Sequence, residues 1–249
     1  MTKEAGQWNN IPGRQTYINQ EKPVFSKDIL LRMALNEYKR NPLEHENYWK
    51  KHWKILSREE NLKIFVPRLN IPKEKLIEWE KSGLKPIPVP EAIRGPKGLE
   101  LLSSMYRGKI DIWPVPEIKN NTTESTWRLI QLNPVLNKEQ IQADKQSFLD
   151  EKAEAIDLPT LIIGAELIKN LTGHFPYEQH PKDMDIWARV GGSQFTKTYE
   201  GPSEQKIKEV PGVFFSPNGT LTIKRLLENE QYPDLIQPYQ IPIKSQKIA

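Results

Sequence analysis

The sequence predicts an α+β protein, an N-terminal helical region followed by a mixed, mainly antiparallel sheet with packed helices. Three observations predict it. Helix-period segments come first, between residues 26 and 106. Strand-period segments mix with helices after that. The run "GVFFSPNGTLTIKRL" places two β-rich stretches around Pro217-Asn218-Gly219, the strongest hairpin signal in the chain, and Asn-Gly favours a type I′ turn at its tip. This order is not the regular alternation of a βαβ series. The organisation expected is a helical basic region over 1–90 and an α+β domain over 91–249 with an extended C-terminal tail.

Residues 1–25 carry turn chemistry in "NNIPGRQ" and no helical period. Ser26 reads as an N-cap, with Asp28 in the first turn, and Ile29, Leu30, Met33, Ala34 and Tyr38 follow at helical spacing. That helix should stop near Asn41, because the residue before Pro42 is pushed out of the α region. Pro42 can open the next helix, "PLEHENYWKKHWKIL", which sets Leu43, Tyr48, Trp49, Trp53 and Leu56 on or near one face. A short helix over Lys73–Ser82 is capped by Gly83.

Prolines at 86, 88 and 90 alternate with Ile87 and Val89, predicting an extended, one-side-buried ribbon and a domain boundary within 85–95. A helix from Gly98 to Tyr106 follows. "KIDIWPVPEI" is a short strand blocked by two prolines, hence an edge strand or a bend. "STWRLIQL" is a strand with Trp127 and Leu129 on one face and Arg128, Ile130 and Leu132 on the other. "LNKEQIQADKQSFLDEKAEAI" has a helical composition with Asn137 as its cap, and "LPTLIIGAELIKNLTG" is the most apolar helix, ending at Gly173. "DMDIWARV" alternates Met184, Ile186 and Ala188 against Asp183, Asp185 and Trp187. The proline-rich C-terminus should lie extended.

Composition narrows the chemistry. The 249 residues include seven Trp, seven Phe and eight Tyr, enough for a sizeable core. No apolar run approaches a membrane span; the longest, Leu158–Ile168, is broken by Pro159, Gly164 and Glu166. "MTKEAGQWNN" has no apolar signal region, so the sequons at Asn120, Asn121, Asn170 and Asn218 carry little weight and the cytoplasm is the expected compartment. Zero cysteines exclude disulfides, thiolate metal sites and a cysteine nucleophile. The net charge of +4 is uneven: residues 1–120 hold 22 Lys and Arg against 15 Asp and Glu, an excess of +7, and the remainder is −3. A basic front half suits a polyanion or an acidic partner surface.

No phosphate-cradling glycine motif, no G-x-S-x-G and no H-E-x-x-H occurs. Three weaker constellations remain. His174, His180, Asp183 and Asp185 carry ligand types suited to Mg²⁺, Mn²⁺ or Zn²⁺, although "FPYEQHPK" also has the composition of a loop entering a strand. Asp111 with Glu117-Ile118-Lys119 follows the D…E-x-K pattern of metal-dependent nucleases, over an interval too short for the usual turn between paired strands. "YWKKHWK" places Trp49 and Trp53 beside Lys50, Lys51 and Lys54, with Arg58 beyond. These are the ingredients of a nucleic-acid surface if the rings face out, and of a core if they face in. The expectation is a non-enzymatic subunit of a larger intracellular assembly, with protein partners and a basic half able to contact nucleic acid, without membrane or cofactor. The alternative is a metal-dependent, nuclease-like hydrolase, with Mg or Mn required only in that case.

Overall fold

The computed structural model describes residues 26–35, 38, 41–113, 115–120, 127–132, 153–178, 186–196, 208–229 and 235–243. Among them are six helices: α1 (Lys27–Leu35), α2 (Pro42–Leu56), α3 (Lys73–Lys81), α4 (Glu91–Arg94), α5 (Gly98–Met105) and α6 (Leu158–Thr172). The strands are β1 (Lys85–Pro88), β2 (Asp111–Trp113), β3 (Ile118–Asn120), β4 (Trp127–Ile130), β5 (Glu154–Ala155), β6 (Trp187–Arg189), β7 (Ser193–Phe195), β8 (Glu209–Phe215), β9 (Thr220–Leu227), β10 (Leu235–Ile236) and β11 (Tyr239–Ile243). The α+β class and the order of helices before sheet are as expected. No helix among the described residues is long and apolar enough to cross a membrane.

Helix ends follow local chemistry. Asn41 caps α2 by accepting the Leu43 N–H at 3.0 Å, with Pro42 in the first turn. Asp157 caps α6 through the Thr160 N–H at 2.8 Å. At the end of α3, Leu84 N–H returns to Trp79 O at 2.8 Å and Gly83 N–H to Glu80 O at 3.1 Å. That pair of bonds needs a left-handed residue after the cap, and Gly83 supplies it at φ 76°. Helix α1 is described as far as Leu35, and Tyr38 already lies outside it, short of the proline-based expectation.

Three sheets organise the described residues, the smallest being the antiparallel pair β3–β7. The first has order β1-β4-β11-β5 and is antiparallel throughout. Both of its faces are covered. Leu129 packs with Leu76 and Trp79 of α3, and Ile130 meets α6 at Gly164, where an added Cβ would sit 2.4 Å from Ile130 Cδ1. The proline ribbon 85–88 is the edge strand of this sheet, where missing N–H groups cost little. The C-terminal segment is a central strand of the same sheet, between β4 and β5. Among the described residues it pairs with β5 at Tyr239–Ala155 and Gln240–Glu154. The expected helix starting at Asn137 falls mainly in 133–152, outside the described residues; its last residues, Glu154–Ala155, form β5.

The second sheet has order β10-β6-β8-β9-β2, with parallel pairings only at its two edges. "KIDIW" is one of those edges, as its prolines predict. The β8–β9 hairpin is present, but its turn is not type I′. Gly219 N–H bonds Ser216 O at 3.0 Å and Ser216 N–H bonds Thr220 O at 2.9 Å, so three residues form the loop. Only Gly219 has positive φ, at 93°, while Asn218 Oδ1 accepts the Thr220 N–H at 3.0 Å. This is a type I turn closed by one left-handed glycine. Gly219 also lies against the chain before β2: a Cβ there would approach Lys109 O to 2.7 Å, and Gly219 O accepts the Asp111 N–H at 3.0 Å.

Gly219→Ala should therefore combine left-handed strain with a backbone clash. The expected cost is about 2 kcal/mol or more, a Tm lower by about 5 °C in thermal unfolding. A Tm within one degree of the parent would contradict this account of the turn.

Candidate functional site

Helix α2 decides the fate of the "YWKKHWK" signal. Its 3.6-residue period puts His45, Tyr48, Trp49, His52, Trp53 and Leu56 on the inward face, and Trp49 and Trp53 are both 0% exposed. The two indoles are core, so the expected stacking of bases on Trp49 and Trp53 is corrected. Lys50, Lys51 and Lys54 remain outside, joined by Arg58 in the following turn.

The other constellations stay apart or closed. Asp111 lies exposed on β2, paired to β9, and Lys119 on β3, paired to β7; the two strands belong to different sheets. Glu117 precedes β3 and accepts from Thr196 Oγ1 at 3.2 Å. The paired-strand geometry that a D…E-x-K site needs is therefore not formed. His174 is half-exposed, with Nδ1 3.4 Å from Glu178 Oε1. Glu178 also accepts the Phe175 N–H at 2.6 Å and lies 3.5 Å from Lys169 Nζ. Burial opposes ionisation of Glu178, but the Phe175 N–H, His174 and Lys169 outweigh it and hold the carboxyl below its ordinary range. His180, Asp183 and Asp185 lie outside the described residues. Among the described residues no group of three or more His, Asp or Glu could hold a metal ion.

A buried polar network, not anticipated from the sequence, joins three helices. His52 Nε2 lies 3.0 Å from Tyr106 Oη, just after α5, and Nδ1 lies 3.5 Å from Tyr48 Oη. Glu166, 2% exposed on α6, has Oε2 3.9 Å from His52 Nε2 and Oε1 3.5 Å from Lys109 Nζ, and it also accepts from Asn170. Burial, reinforced by the Lys109 ammonium, pulls His52 down to about 3. The imidazole is thus neutral near pH 7, and its approach to Glu166 is not an ion pair. Burial, and behind it the Glu166 carboxylate, push the Tyr48 and Tyr106 hydroxyls well above their ordinary range. A neutral imidazole has one donor and one acceptor nitrogen, so each tyrosine can satisfy one of them. With His52 fully buried and Glu166 nearly so, this network is a clamp between α2, α5 and α6. The one sequence signal for it was Glu166 interrupting the apolar run.

The accessible chemistry lies on the other side of α2. Leu62 N–H bonds Ser57 O at 3.2 Å, and Glu46 Oε1 accepts the Leu69 N–H at 2.7 Å. Residues 62–69 therefore run back along α2. They cover about 16 Å of helix in seven steps, about 2.3 Å per residue, which is more than a helical rise and less than full extension. Trp127 Nε1–H pins the segment further through Pro67 O at 3.2 Å. Val66 and Leu69 turn inward, while Lys63, Phe65 and Arg68 face solvent. Lys54, Arg58, Lys63 and Arg68 are exposed and lack acidic partners among the described residues. The two nearby acids are engaged, Glu59 with Lys27 at 3.5 Å and Glu60 with Ser104. On the far side of the segment a groove of about 450 Å³ opens between residues 63–67 and 90–94.

The network makes a pH prediction. Between about pH 6.5 and 3 the unfolded chain binds a proton at His52 that the folded chain refuses. Stability is then full above 6.5 and falls with acid, by up to about 1.4 kcal/mol per pH unit from this group. His52→Gln retains a donor and an acceptor but cannot titrate. Urea unfolding from pH 7 to 4 should show a smaller stability loss for this variant than for the parent. Parallel pH profiles would refute the assignment. No family model, no curated protein and no solved structure matches the chain, so its function is argued from this geometry alone.

Proposed function

We propose that the chain is a non-catalytic, intracellular subunit of a larger assembly, and that its basic flank contacts nucleic acid. One observation carries this reading. The segment carrying Lys63 and Arg68 returns along α2, which bears Lys54 and leads into Arg58; all four are exposed and without acidic partners among the described residues, and Glu59 and Glu60 are engaged by Lys27 and Ser104. Exposed cations so placed can each take a phosphate and release its counterions. Lys50 and Lys51 extend the same surface, although Lys50 is shared with Glu46 at 3.3 Å. A second feature agrees with a binding role. The set of titratable side chains around His52 and Glu166 is enclosed in the core, where a substrate has no access to it.

The test is binding of a fluorescent oligonucleotide by anisotropy, at salt from about 50 to 200 mM. The parent should bind at low salt and weaken steeply as salt rises. A variant with Lys54, Arg58, Lys63 and Arg68 all changed to Glu should keep its Tm, since these side chains are exposed, and lose the binding. For single changes, the slope of log affinity on log salt should become shallower by about one for each phosphate no longer neutralised. Absence of binding by the parent at 50 mM salt, or undiminished binding by the quadruple variant, would overturn the proposal.

A further inference from the structure

Phe65 is 80% exposed although the chain around it is fixed. Its segment is anchored by the Glu46 carboxylate at Leu69 and by the Trp127 indole at Pro67. The ring is thus presented by a rigid backbone. It lines the groove of about 450 Å³ with Lys63 and Pro67 on one wall and Pro90, Glu91 and Arg94 on the other. We infer that this groove binds a single strand of nucleic acid, with a base stacked on Phe65 and the backbone phosphates beside Lys63 and the adjoining Arg68. The inference rests on the reading of the adjoining flank as a nucleic-acid surface, and it names the form of nucleic acid and the residue that distinguishes it.

Four features select this occupant. Lys63 on the wall and the exposed Arg68 in the same segment supply cations suited to phosphate. An exposed aromatic ring beside cations is the combination that holds unpaired bases, because every base has a π face. The volume is that of a small-molecule site and is far too narrow for a duplex, whose bases are already stacked on each other. A peptide strand is disfavoured. Pro67 and Pro90 have no N–H to offer, and the Pro67 carbonyl is already taken by Trp127. Grooves for proline-rich peptides line up several aromatic rings, and this one has Phe65 alone.

The experiment uses the full chain and three probes: a labelled oligo(dT) of about 12 nucleotides, within the usual site size of single-strand binders, the corresponding duplex, and heparin as a polyanion without bases. Phe65→Ala should weaken oligo(dT) on the order of tenfold and leave heparin and duplex affinities unchanged. Phe65→Trp should retain or strengthen oligo(dT) binding, and Glu91→Gln should strengthen it. An unchanged melting curve for Phe65→Ala shows that the fold is intact, as expected for so exposed a ring. Equal oligo(dT) affinities for the parent and Phe65→Ala would overturn the inference, as would a loss of equal size on heparin. Binding of heparin and duplex but not oligo(dT) by the parent would remove the groove assignment and leave the flank proposal standing. No binding of any probe would remove both.

Discussion

Burying Glu166 is the constraint on which the rest of this structure depends. The apolar stretch Leu158–Ile168 of α6 is buried along its whole length, and its one acid is buried with it. A carboxylate in such surroundings is costly unless it is paired and hydrogen-bonded. Lys109, Asn170 and the hydroxyl–imidazole chain through Tyr106 and His52 surround it, and they come from different parts of the chain. Lys109 sits where the backbone passes under the Gly219 turn, so the ion pair links α6 to the second sheet. His52 and Tyr48 belong to α2, so the same network sets which face of α2 looks inward. A clamp of this kind fixes orientation more than it adds net stability, because desolvation offsets much of the attraction.

The surface follows from that orientation. With Tyr48, Trp49, His52 and Trp53 committed to the core, the lysines of α2 have only solvent to face. Glu46, at the margin of the buried face, is placed to reach the Leu69 N–H and draw residues 62–69 back along the helix. That return brings Lys63 and Arg68 to the same flank as Lys54 and Arg58. It also leaves Phe65 outward, 80% exposed beside the buried Val66. The inner clamp and the outer basic surface are two faces of one helix.

Much of this fold was legible in the sequence. The period of α2, its opening at Pro42, the glycine after α3, the edge-strand prolines and the hairpin at 217–219 are all local. Each rests on interactions between residues a few positions apart, and such interactions are written in short spacings. The turn type was not legible. Asn-Gly favours two left-handed residues, but here Asn218 uses its side chain to hold the Thr220 N–H, and the loop closes with one.

By itself, then, the sequence determined the α+β class, most helix and strand positions, the basic excess of residues 1–120 and the presence of indoles among lysines on α2. Tertiary structure alone decided on which side those indoles lie. Hydrophobic periodicity defines a face but not what covers it: α2 packs on α1, and its His52 reaches Tyr106 and Glu166, the latter more than a hundred residues away. It also decided that Asp111 and Lys119 stand on different sheets, since strand pairing is chosen by long-range register and not by spacing. Finally, it made Phe65 a candidate for stacking: in the sequence this ring is one apolar residue among several. Only anchors at Pro67 and Leu69, supplied by a distant strand and by the preceding helix, leave it facing solvent.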